Sequence, residues 1–131
     1  MKLDEFVYRL CTEGKNFAVV STLMPDGSPQ VSIVWVDADE EHILINTAEG
    51  RLKPENMRRD KRVALAIFDV GNPYRQAMVR GIAEEDARKD PEEHIDKMAM
   101  KYMGLDKYKR SHPDEKRVIF RIKPEKVFKL T

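Results

Sequence analysis

The chain has 131 residues and a single cysteine, Cys11. One cysteine excludes an intramolecular disulfide and cannot by itself build a metal site. It lies on the apolar face of a predicted helix and reads as a small buried hydrophobe. A charge of one sign is also lacking: 24 Lys and Arg stand against 23 Asp and Glu, so no global field draws in nucleic acid. Aromatic residues are 8% and form no aromatic–basic ladder of the kind that holds single strands. No window approaches the roughly 20 apolar residues a helix needs to cross a bilayer. Asp4, Glu5 and Arg9 break up any apolar stretch that could serve as a signal peptide. The expectation is a cytoplasmic protein without nucleic-acid or membrane partners.

The common catalytic signatures are missing too. There is no GxGxxG, Walker A, GxSxG, HExxH or paired CxxC. His42, His94 and His112 are far apart in sequence and fit no ligand or nucleophile spacing. Each reads as solvated or locally hydrogen-bonded, and neither a metal nor a protein-borne catalytic residue is expected.

What is present is a chain that can fold. Hydrophobic residues are 41% and charged residues 36%, consistent with one domain over 1–131 and a proper core. Leu3, Phe6, Val7, Leu10 and Cys11 recur at helical spacing until Gly14. Residues 17–23 read as a strand, Pro25-Asp26-Gly27 as a turn, about Gln30–Val36 as a second strand and His42–Thr47 as a third. Together they predict a three-stranded antiparallel meander. A short helix over Pro54 to Asp60 follows. The almost unbroken apolar run 63–69 predicts a strand covered on both faces. Gln76–Glu84 reads as a strand with a bulge or bend at Gly81. Asp90-Pro91-Glu92-Glu93 opens a helix that Gly104 ends, and Val118–Ile122 and Lys126–Leu130 read as two closing strands. Six or seven mostly sequential antiparallel strands with two sizeable helices predict a small β-barrel with helical covers.

The chemistry concentrates between Thr22 and Asn56. Thr47-Ala48-Glu49-Gly50-Arg51-Leu52-Lys53 ends a strand with a hydroxyl, a glycine and two cations just before a helix. Cationic donors and free amides at a chain reversal suit a phosphate, and Asn56 falls one turn further on. A solvated basic turn has the same composition. Trp35, the sole tryptophan, fits either the barrel core or a rim position.

The run from Asn46 through Val63, Asn-x-Thr-x-x-Gly-Arg-x-Lys-x-x-Asn-x-Arg-Arg-Asp-x-Arg-Val, resembles the cofactor segment of the FMN-binding split-barrel superfamily, as does the preceding PDGSPQVSIVWVD. PYRQAMVRG, EEHIDKMAMKYMG and RVIFRIKPEKV are similar to the pyridoxamine 5′-phosphate oxidase-like, coenzyme F420-dependent branch. The resemblance runs from about Phe17 to Val127.

It implies a six-stranded antiparallel split barrel, a homodimer, and a cofactor at the dimer interface. Arg51 and Lys53 would hold the cofactor phosphate, with Asn56 supporting that end. Asn46 and Thr47 would line the linker and ring, and Gln30, Ser32, Val34 and Trp35 would flank the ring system. Tyr74 would approach from the partner subunit. On electrostatic grounds Arg58 and Arg59 would meet the acidic tail of a deazaflavin. The implied function is an oxidoreductase that uses coenzyme F420 to transfer hydride to a small unsaturated organic substrate. The alternatives are an FMN-dependent oxidoreductase or a non-catalytic flavin or deazaflavin carrier. The chain lacks the C-terminal substrate motif of true pyridoxamine phosphate oxidases. In a cofactor enzyme of this kind the cofactor does the redox chemistry, so the missing triad is expected.

Overall fold

A computed structural model of the chain describes residues 2–131. Helix α1 (Glu5–Thr12) starts where Asp4 caps it, its carboxylate accepting from the Val7 amide at 3.1 Å. Strands β1 (Phe17–Leu23), β2 (Pro29–Trp35), β3 (Asp37–Ala38) and β4 (Ile43–Ala48) follow, then helix α2 (Leu52–Arg59). Strands β5 (Arg62–Asp69) and β6 (Asn72–Glu85), helix α3 (Pro91–Met103) and strand β7 (Arg117–Leu130) complete the chain. Asp90 caps α3 by accepting from the amides of Glu92 and Glu93. Among the described residues no helix is long and apolar enough to cross a membrane.

The strands form one antiparallel sheet of seven, in the order β2-β1-β5-β6-β7-β4-β3, where the resemblance implied six. The seventh is β3, a two-residue pairing of Asp37 with Leu44 and Ala38 with Ile43. Strands β2 and β3 occupy opposite edges of the sheet, yet only Val36 separates them in the chain. The sheet must therefore curl until its edges meet. There β2 and β4 approach without a hydrogen-bonded ladder, which makes the barrel split. The expected meander is corrected accordingly: β4 pairs with β7 and β3, not with β2. Tyr102 pins the crossover. Its hydroxyl accepts from the Val36 amide at 3.1 Å and donates to the Asn16 carbonyl.

Alternation along the strands fills the barrel. Val20, Ile45, Leu65, Val79 and Phe120 point inward, and α1 adds Val7, Leu10 and Cys11. Each large side chain removed from water in this way contributes about 1.5–3 kcal/mol. β5 is not covered on both faces. Val63, Leu65 and Ile67 are buried, while Ala64 is exposed and Ala66 half-buried. An alanine-rich outer side let an alternating strand read as a continuous apolar one.

The two predicted closing strands are one. β7 runs unbroken because the ladder slips between Arg80 and Gly81, so Gly81 pairs with Pro124 and Glu125 is the extra residue. A proline tolerates such a bulge because no ladder donor is required there. Gly81 is needed for space: a Cβ there would collide with the Lys123 carbonyl oxygen.

The outer face of the sheet is partly covered. α3 lays Ile95, Met98 and Tyr102 over Phe17 and Trp35. Beyond them one register row, Ile33, Val19, Ala66, Met78 and Phe128, crosses five strands. Ile33 is 68% exposed and Phe128 65%.

Candidate functional site

The split creates a cleft. It encloses about 200 Å³ and is lined by Ile33, Val34 and Trp35 of β2, Asn46 and Thr47 of β4, Arg51 and Lys53 at the start of α2, Ile95 of α3, Tyr108, and Arg117 of β7. Edge strand β2 has no neighbour on this side, so part of its backbone polar groups point into the split.

One end is cationic because of how β4 ends. Gly50, at φ 86°, turns the chain in a way other residues resist, and the next residue, Arg51, occupies the N-cap of α2. Arg51 makes no side-chain capping bond, which leaves the first α2 amides open to an anion. Burial, followed by the charges of Arg51 and Arg117, pushes the Lys53 ammonium below its ordinary range. Among the described residues one carboxylate pairs with these cationic side chains: Glu115 lies 2.9 Å from Arg117 Nη1 and 3.7 Å from Arg51 Nη2, while Glu92, which accepts from the Arg117 backbone amide at 2.9 Å, is paired with Arg110. Three cations against one acid leave an excess of positive charge facing the cleft. The Thr47 hydroxyl, beside them, is buried without a hydrogen-bond partner. A buried hydroxyl left unpaired carries a desolvation penalty that a ligand would relieve.

The other end is aromatic. Trp35 stacks on Tyr102 at 5.0 Å between centroids with an interplanar angle of 3°. Tyr108 meets Trp35 edge-on at 6.1 Å, and the Arg117 guanidinium lies 4.9 Å from the Tyr108 ring centre. Tyr102 therefore fixes the indole from behind, so the free face of this corner is rigid. An anion seat at one end and a flat aromatic wall at the other suit a planar ring bearing a phosphate.

A larger hollow of about 460 Å³ lies on the outer sheet face, among Ser21, Leu23, Arg62, Ala64, Arg80, Glu125 and Lys126. It holds no buried unpaired polar atom and no helix terminus, so the smaller cleft is the better candidate.

Of the residues singled out from sequence, Val34, Trp35, Asn46, Thr47, Arg51 and Lys53 come together in the cleft. Gln30, Ser32, Asn56 and Tyr74 do not line it. Asn56 faces β1, donating to the Thr22 hydroxyl at 3.0 Å and accepting from Arg59, so its amide is already committed away from the phosphate end. The Ser32 hydroxyl is buried with no partner, and Gln30 contacts the Val31 carbonyl at 3.4 Å. Tyr74 is 78% exposed at the start of β6. Arg58 grips Glu49 and Glu85 at 2.7–3.0 Å, and Arg59 is bonded to Asn56 and the Leu23 carbonyl. Arg58 is therefore neutralised by two acids that lie 9 and 27 residues away in sequence, whereas the hydrogen-bond partners of Arg59 are neutral.

The sequence profile of the family described as pyridoxamine 5′-phosphate oxidase matches residues 7–131. The chain belongs to the pyridoxamine 5′-phosphate oxidase family. Within this family's fold it is similar to an F420 reductase of known structure, with 28% identity, a TM-score of 0.76, and coverage of 92% of this chain and 95% of that one. A conserved hypothetical protein from Mycobacterium tuberculosis shares the fold at 20% identity and a TM-score of 0.69, covering 95% of this chain and 82% of that one. So does a heme storage protein from Vibrio cholerae, at 15% identity and 0.65, covering 99% and 96%.

Three cleft residues of this pyridoxamine 5′-phosphate oxidase-family chain were not singled out from sequence: Ile95, Tyr108 and Arg117. Arg117 carried a faint signal, a cation opening an apolar strand. Tyr108 carried none, since it sits in the polar connection 104–116.

Proposed function

We propose that the protein is a homodimeric oxidoreductase that binds coenzyme F420 in the split-barrel cleft and transfers hydride to an unsaturated organic substrate. One observation carries the reading: the Arg51, Lys53 and Arg117 side chains converge with Glu115 as the one carboxylate paired to them among the described residues, beside an unpaired buried threonine hydroxyl and opposite a rigid tryptophan. Arg51, Lys53 and the first α2 amides would bind the phosphate. Thr47 and Asn46 would contact the polar linker, and Trp35 with Ile33 would form one wall of the ring site. The deazaflavin supplies the hydride when bound, and the chain's residues orient it and exclude water. The similarity to an F420 reductase supports the choice of deazaflavin.

A cleft of about 200 Å³ is smaller than the 300–1,000 Å³ usual for such ligands. The missing half is supplied by a second copy, docked through the exposed row of Ile33, Met78 and Phe128, with Tyr74 reaching over from the partner. An FMN-dependent oxidoreductase is the second reading. The phosphate seat accepts either cofactor, and the matched family is named for an oxidase.

Titration of the purified protein with F420 and with FMN, followed by ring fluorescence, tests the choice. The expected result is micromolar or tighter F420 binding, then reduction of members of an enone and quinone panel by reduced F420. Tight FMN binding with none for F420 selects the second reading. Tight binding without turnover makes the protein a carrier.

A further inference from the structure

One chain of hydrogen bonds starts behind the cleft and ends in its wall. The Asp37 carboxylate of β3 lies 2.9 Å from His94 Nε2 of α3. His94 Nδ1 is 3.1 Å from Asn46 Nδ2 of β4. Asn46 Oδ1 accepts from Arg117 Nε of β7 at 2.9 Å, and the Asn46 carbonyl accepts from Arg117 Nη2 at 3.2 Å. Asp37, His94 and Arg117 are buried, and Asn46 and Arg117 line the cofactor cleft. Sequence spacing gave His94 a solvated or local role. The fold gives it partners on two other strands.

The donors and acceptors fix every proton in this chain. Arg117 can only donate, so it takes the Asn46 oxygen. The Pro91 carbonyl can only accept, and it receives the Asn46 amide at 2.9 Å. Both partners orient Asn46 the same way, so its N–H2 group faces His94 Nδ1. That ring nitrogen must be the lone pair, and the ring proton sits on Nε2, facing Asp37.

A second proton on His94 has no satisfactory place. It would set an Nδ1–H against the Asn46 N–H2. Turning the Asn46 amide over repairs that contact but breaks two others, because its N–H2 then meets Arg117 and its oxygen meets the Pro91 carbonyl. The charged groups around the ring are Asp37 of β3, Lys97, Asp90 and Glu93 of α3, the Asp39–Lys89 pair 3.4 Å apart, and Arg117 of β7. Lys97 lies 3.8 Å from the same Asp37 oxygen that His94 contacts. Burial would raise the Asp37 carboxyl, but the bonds from His94 and the Ala38 amide, with Lys97, hold it below the ordinary range. Asp37 thus stays an acceptor throughout.

We infer that His94 is a positioning residue for the cofactor site: in its Nε2–H form it locks Asn46, and through Asn46 the Arg117 guanidinium, in the arrangement that receives the anionic cofactor. Acidification releases Arg117 and weakens binding. This rests on the reading of the cleft as the cofactor site.

Two measurements test it, one of them free of cofactor. In the apo protein, two-bond proton–nitrogen spectra of the ring should show the Nε2–H tautomer at pH 8. As the pH is lowered from 8 to 5, the Asn46 side-chain amide signals should move with the same midpoint as the His94 ring. For the cofactor, F420 affinity is measured over that range for the wild type and for His94→Gln. Glutamine can accept from Asn46 and donate to Asp37 but carries no titrating proton. The wild type should lose about tenfold in affinity on acidification, the worth of one charge-assisted hydrogen bond. His94→Gln should keep the high-pH affinity throughout. An Nδ1–H tautomer, an Asn46 signal blind to the His94 titration, or a His94→Gln curve that tracks the wild type overturns the proposal. If F420 and FMN both fail to bind at every pH, the cleft reading fails, and the spectra alone decide whether His94 controls Asn46.

Discussion

Replacing Lys53 with methionine should make the protein more stable and a poorer binder. The two effects share one cause. The ammonium is half-buried beside Arg51 and Arg117, with no carboxylate partner of its own among the described residues. Methionine keeps the apolar stem and removes the repelled charge. Relief of one like-charge contact in a partly solvated site is worth up to about 1 kcal/mol, or a rise of about 4 °C in Tm for a chain of this size. Because the Lys53 pKa is lowered, the cost of its charge is full at neutral pH and fades as pH rises through the folded value toward the ordinary one. The gain in Tm should therefore shrink in alkaline buffer. In the holo state the same charge faces a phosphate. Loss of a charge-assisted hydrogen bond of about 1.5–3 kcal/mol should raise the Kd for F420 or FMN by about 10- to 150-fold. Differential scanning fluorimetry of the apo protein and fluorescence titration of the cofactor give both numbers. A variant that melts lower than the wild type, or binds both cofactors unchanged, refutes the view of Lys53 as a cation held in place for an anion.

Gly81→Ala should destabilise by roughly 2–3 kcal/mol in urea titrations, since the new methyl group meets the backbone carbonyl of Lys123 rather than a movable side chain. Asp86→Asn should cost on the order of 2 kcal/mol at pH 7. Hydrogen bonds from the Arg88 side chain, outweighing the opposing effect of burial, bring the Asp86 carboxyl from 3.8 down to about 2. That stability is present above pH 3.8 and is lost as pH falls toward 2, so the gap between wild type and variant should close in acid unfolding. Ile33→Glu combined with Phe128→Glu places charges in the exposed apolar row. Sedimentation should show a monomer, and a double variant that remains dimeric refutes this face as the interface.

The sequence signals that survived folding are those carried by a few adjacent residues. Asp90-Pro91 opens α3 and Gly104 closes it in the left-handed region, as local capping chemistry requires. Gly81 marked its bulge because a missing Cβ is needed wherever two backbones crowd. The turn at Gly50 placed Arg51 and Lys53 together because they sit two residues apart across a helix start. The meander was misread for a non-local reason. The apolar run of β4, buried at five of six positions, marks a covered strand but not which strand lies beside it, and only the crossover at Val36 sends β3 and β4 to the far side of the sheet. The same limit hid Arg117 and His94. Their partner Asn46 is 71 and 48 residues away in the chain, and no spacing rule reaches that far.

That crossover also explains why this barrel has a site at all. A closed barrel would pair β2 with β4 through a full ladder and leave no backbone free. Here the seam carries no ladder, and it falls where β4 hands over to the start of α2. Cations at a helix N-terminus, an unpaired threonine hydroxyl and an edge strand's free polar groups are each unfavourable in an empty seam. Filled by a flat anionic ring and capped by a second sheet face, each gains a partner. On this reading the apolar row on the outer face and the polar seam belong to one device: the second copy covers the ring, and the ring gives the two copies a shared surface. Loss of the apolar row should then weaken the cofactor even though Phe128 does not line the cleft. Phe128→Glu alone distinguishes this from a cleft complete in one chain, whose affinity would survive that change, whereas Ile33→Glu also places a charge in the cleft wall.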